Sequence, residues 1–202
     1  DRLTEARARL NEQQELDKLK DKIRARIDRM KGEVNWFTHI LEPGVLESLD
    51  KGRPTERGNE EFEYFIRKFF EKMGFKLERS AVLTESGSHM QMAKDDKQYL
   101  IYPVHPPAPI SEEFVRNVNR ELMQSSVKMA IIITAGSFTE KAREYCSSRD
   151  SKLLLYDRRM VEEGVRAIIG ALRSRVSEEN NLLTESNTER FMRAFKDKGE
   201  EL

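Results

Sequence analysis

Apolar residues recur every three or four positions near the start of the chain. Leu16, Leu19, Ile23, Ile27, Met30, Val34, Phe37 and Leu41 form one stripe in a proline-free segment from Leu3 to Leu41. The mean step lies between the about 3.5 residues of a supercoiled seam and the about 3.6 of a straight helix. The spacing predicts one long amphipathic helix over 1–42, ended by Pro43-Gly44. A stripe this long outreaches what one small domain needs to seat a helix. The expectation is therefore a coiled coil, with self-association or a helical protein partner held through Leu16, Leu19, Ile23, Ile27, Met30, Val34 and Phe37. Packing on the chain's own domain is the alternative.

After this stripe the pattern changes. The polar segment "ESLDKGRPTERGN" marks a linker over 43–59. Residues 60–73 put Phe62, Phe65, Ile66, Phe69 and Met73 on one helical face, and Gly74 stops the helix. "FKLERSAVLT" reads as a strand, and "SGSHMQMAKDDKQYLIYPVH" as two more around an Asp95-Asp96-Lys97 turn. Pro103 lacks a backbone donor, which suggests an edge or bulged strand. Ile110, Phe114, Val118 and Leu122 recur at four-residue steps and predict a helix over 110–123. "KMAIIIT" is a continuous apolar run of strand length, the mark of a strand covered on both faces. Ser137 and Glu140 have the spacing of a capping box for the next helix. "KLLLYD" is a further strand, and 158–173 a further helix.

These elements predict an α/β fold with a mixed central sheet flanked by helices over 60–175, preceded by the long helix. A polar tail follows over 176–202, with a last helix opened by Ser186 and Glu189. Composition narrows the function classes. Lysine plus arginine equals aspartate plus glutamate at 36 each, so any basic binding surface must be local. Cys146 is the only cysteine, which excludes an internal disulfide and fits a reducing, intracellular compartment. No apolar run approaches the roughly 18 residues of a membrane span, and no signal peptide is visible.

Three stretches carry a family likeness: "EFEYFIRKFFEKMGFKLERS", "MAKDDKQYLIY" and "MAIIITAGSFTEKAREYCSSRDSKLLLYD". Together they resemble the Mrr-type restriction endonucleases of the PD-(D/E)xK nuclease fold. The resemblance implies an acid on the second strand and a Gln/Glu-x-Lys on the third. Two such oxygen ligands would hold a divalent metal, and the lysine would assist the attacking water. Matched on Tyr99-Leu100 and the aspartate turn, the acid position falls on His89, the Gln/Glu on Tyr102 and the lysine on Val104. All three are changed, so the resemblance implies a degenerate nuclease with no metal and no other cofactor. Gly87–Met90 spells "GSHM", a tetrapeptide that tag cleavage also leaves, but Tyr102 and Val104 lie outside it.

Weaker candidates stand beside this set. Glu85 with Asp95-x-Lys97 has the spacing of a relocated site, although a solvated hairpin turn explains it better. Glu61 and Glu63 could add a metal ligand in an active relative, and His89 with His105 could pair on a transition metal. Arg116, Arg120, Lys128, Arg158, Arg159, Arg173 and Arg175 are the candidates for DNA phosphates. The expected function is a non-catalytic nuclease-fold module that acts in assembly through its long helix. DNA binding without cleavage is the runner-up.

Overall fold

The computed structural model describes residues 2–50, 60–104, 108–147 and 152–184. Two compact units are present: Asp1–Thr38 with Ile169–Leu202, and His39–Ile168.

The first unit is helical. Helix α1 spans Arg2–Ile40. Its partner in this unit is the later part of a helix spanning Arg158–Leu183, the last of the six described. Leu16, Ile23, Ile27, Met30 and Phe37 are each at most 5% exposed. Leu19 and Val34 are half-buried. An Arg26 Nη donates to Glu179 Oε2 at 2.6 Å, which compensates a carboxylate side chain only 9% exposed. The stripe offered by sequence to a second chain is thus already covered within this one. The tail expected from Val176 is corrected too, because the helix continues to Leu183. Residues 185–202, with the expected last helix, lie outside the described residues.

The second unit holds the sheet. A short helix α2, Val45–Asp50, occupies the start of the expected linker, and 51–59 lie outside the described residues. Helix α3 (Glu60–Lys72) follows and ends at Gly74, where φ is +88°. Strands β1 (Lys76–Thr84), β2 (Gly87–Lys94) and β3 (Lys97–Pro103) form an antiparallel meander. Asp95 and Asp96 take φ of 50° and 59° and make the tight β2–β3 turn, as the charged tripeptide predicts.

Helix α4 (Glu112–Gln124), β4 (Met129–Ile133), α5 (Glu140–Cys146) and β5 (Leu153–Tyr156) complete the order before the last helix, α6. The sheet runs β1-β2-β3-β4-β5, with β3, β4 and β5 parallel. This is the mixed sheet expected from sequence.

Helices cover both faces. Val115, Val118 and Leu122 of α4 and Ala142 of α5 join Leu100, Tyr102, Ala130, Ile132 and Leu153 in one core cluster. On the other face Phe70 of α3 stacks near Tyr156, and Phe69 lies against Gly164 of α6.

Three local expectations are corrected. Ile110 precedes α4 and bridges to Phe138, so the buried α4 face is set by Val115 rather than Phe114. The α5 cap is Thr139, whose hydroxyl accepts from Ala142 N, rather than Ser137. Pro103 closes β3 between two neighbouring strands and is not on an edge; the amide of Val104 donates onward to Ile133 O at 2.8 Å.

Candidate functional site

Alternate residues of a strand share a face with their cross-strand partners, and the β2–β3 register places His89 opposite Tyr102 beside the Met90–Ile101 pair. Their rings lie 5.0 Å apart, tilted by 42°. The two positions matched by sequence to the family's acid and amide are therefore neighbours in space. Val104 follows β3 and is half-buried against the same core cluster.

Tyr102 is fully buried, and its hydroxyl donates to Glu121 Oε2 at 2.8 Å. The backbone amide of Ser86 donates to Glu121 Oε1 at 2.9 Å. Glu121 of α4 therefore clamps β3 and the β1–β2 turn. Burial works to raise its carboxyl pKa, but donors at Ser86, Tyr102 and Thr84 prevail and hold it below the usual carboxylate value. Burial, reinforced by the hydrogen bond to Glu121, pushes the Tyr102 phenol far above its ordinary value. His89 is only 8% exposed, and its buried Nδ1 has no hydrogen-bond partner among the described residues. Burial lowers its pKa, against the pull of the Glu121 charge. At neutral pH the cluster holds a neutral imidazole, a protonated phenol and one carboxylate. A cavity of about 400 Å³ opens beside it, with Arg79, Gln91 and Gln124 on its lining.

The divalent metal implied by the fold does not fit these residues. A hard cation takes several oxygen ligands, at least one of them anionic. Among the described residues Glu121 is the one carboxylate in this cluster, and both its oxygens already accept hydrogen bonds. Val104 supplies no amine. Among the described residues no three His, Cys, Asp or Glu side chains converge as a ligand set. Glu121 is a site residue that the sequence pattern did not single out. In sequence it is one acid beside the apolar residue Leu122 of α4, a pattern that does not mark it as a site residue.

Other candidates are dispersed. Asp95, Asp96 and Lys97 are exposed at the hairpin tip, and Glu85 is exposed. Glu61 is exposed and Glu63 half-buried on α3, on the opposite face of the sheet. His105 lies outside the described residues. Cys146 packs half-buried against the α4-side core. Arg116 pairs with Glu112 and lies over the Tyr145 ring, Arg120 donates to Asn117, and Arg158 and Arg159 pair with Glu162 and Glu163. Because α4 and α6 cover opposite faces, these arginines share no single surface. Arg173 and Arg175 are exposed in the helical unit, and Lys128 is exposed before β4.

Residues 56–163 match the family model described as restriction endonuclease, the Mrr catalytic domain. Among solved structures, the DNA modification-dependent restriction endonuclease AspBHI is 8% identical, with a TM-score of 0.46 over 67% of this chain and 39% of that one. The MspJI restriction endonuclease, solved in complex with a 27-mer oligonucleotide, is 16% identical, with a TM-score of 0.42 over 74% of this chain and 38% of that one. A protein of unknown function is 12% identical, with a TM-score of 0.39 over 60% of this chain and 96% of its own. The chain thus spans about two-fifths of the length of either enzyme. No curated protein matches it.

Proposed function

The chain belongs to the Mrr-type restriction endonuclease family, and from that premise we propose that it is a nuclease-fold module that acts by binding and does not cleave phosphodiester bonds. The observation that carries this is the Tyr102–Glu121–Ser86 network beside His89, built where the family resemblance places metal ligands. Cleavage in this fold needs clustered anionic oxygens to hold a cation against the scissile phosphate, with a base for the water. Here the carboxylate is consumed by two donors and the amine position is a valine. The family's description makes duplex DNA the partner to test first. Assembly through α1, by self-association or with another helical protein, would have to use its exposed flank, since most of its apolar stripe is buried within the chain.

The test is nicking of supercoiled plasmid with Mg²⁺ or Mn²⁺ over a series of protein concentrations. Metal-dependent nicking should be absent and equal to that of Glu121→Gln. Nicking that requires the metal and disappears in Glu121→Gln would overturn the proposal.

A further inference from the structure

At the sheet end away from His89 and Tyr102, every strand has a lysine as its end residue or as the residue just before it. Lys76 opens β1 opposite Ala93, and the next β2 residue, Lys94, pairs with Lys97 at the start of β3. Lys128 immediately precedes β4, and Lys152 immediately precedes β5, where its carbonyl accepts from Ala130 N at 2.9 Å. These five residues are spread through 77 positions of sequence, from 76 to 152, so only the strand register brings them together. Lys94 is engaged: its Nζ donates to Met73 O and sits over the Phe75 ring. Lys76, Lys97, Lys128 and Lys152 are exposed, and none pairs with an acid among the described residues. Glu78, two residues into β1, accepts from the amides of Gln91 and Gln98, while Asp95 and Asp96 stand in the β2–β3 turn.

We propose that this lysine rim is a contact surface for the phosphate backbone of duplex nucleic acid, separate from the inherited cleavage site. Strands lie about 4.8 Å apart, so the rim extends roughly 19 Å across five strands. By the pleat, Lys76 and Lys128 leave from the α4-covered face and Lys97 and Lys152 from the other, which makes a band of charge straddling the sheet edge. Roughly 19 Å of duplex carries five or six phosphates per strand at about 3.4 Å each, enough to occupy all four free ammonium groups. Lysine is a donor-only point charge, which suits a repeating anion lattice and reads no sequence. Arg116, Arg120, Arg158 and Arg159 are already engaged on their own helices, whereas these lysines hold no such partner among the described residues. The rim rests on the binding role proposed above and not on the loss of cleavage.

The test is fluorescence anisotropy of the full chain with a labelled 20-base-pair duplex of random sequence, titrated with salt. Four phosphate contacts predict a slope of log K against log salt of about −3.6, or roughly a hundred-fold weaker binding from 50 to 200 mM salt. Replacing Lys76, Lys97, Lys128 and Lys152 together by Gln should abolish that slope and leave the circular dichroism and melting curve unchanged. Arg116→Gln with Arg159→Gln should leave it intact. Wild-type binding retained by the quadruple variant would overturn the rim, and so would no binding at 50 mM salt. Equal displacement by polyglutamate would overturn its assignment to phosphates. Cleavage of the same duplex with Mn²⁺ would overturn only the non-cleaving role.

Discussion

At the residue scale the site turns on Glu121. Its carboxylate holds Tyr102 and the Ser86 amide, so Tyr102→Phe removes one donor to a charged acceptor and leaves the ring in place. The expected cost is about 2 kcal/mol in urea unfolding, the usual range for a hydrogen bond to a charged group. The pH dependence follows from His89. Its folded pKa is depressed by burial, so the unfolded chain takes up the proton first as pH falls. Its contribution is fully favourable above the unfolded value of about 6.5 and is lost as pH falls through the lower folded value. Glu121, also depressed, adds a second loss below the ordinary carboxylate range. The stability curve of His89→Gln should be flatter from pH 6.5 downward and unchanged in its acid limb. An equally steep curve in that variant would remove His89 from the account. Sequence matched the family's site positions to His89, Tyr102 and Val104 by register with the aspartate turn. It could not locate Glu121, because a helical acid beside an apolar stripe has the same pattern whether it faces water or a buried phenol.

At the element scale, α6 packs against α3 through a glycine. A Cβ built on Gly164 would lie 2.6 Å from Phe69 Cζ, inside any real contact. Gly164→Ala gains roughly 1 kcal/mol of helix propensity, yet forcing Phe69 aside costs typically 1–3 kcal/mol. A net loss of stability is expected in thermal unfolding, recovered in Gly164→Ala with Phe69→Leu. A stabilised single variant would show that α3 yields freely. The element order was legible because strand and helix periods differ and Gly74 and the aspartate turn punctuate them. Ends were less legible. Thr139 and Ser137 both offer a hydroxyl before α5, and only the backbone path decides that Thr139 caps Ala142. The late part of α6 looks polar because Glu179 reads as solvent-facing until Arg26, 153 residues away in sequence, is seen to meet it.

At the scale of the molecule, the α1 stripe shows what length alone does not decide. A long apolar seam needs a cover, and sequence could not tell a second chain from a distant part of the same one. No described helix is long and apolar enough to cross a membrane. On the reading proposed above, the family's metal position has become a hydrogen-bonded network that holds no cation. Titration of Mn²⁺ into isotope-labelled protein, followed through paramagnetic broadening of backbone amide signals, tests it most directly. No selective broadening is expected at Ser86, His89, Tyr102 or Glu121. Broadening centred on those four amides, and relieved by Glu121→Gln, would contradict it.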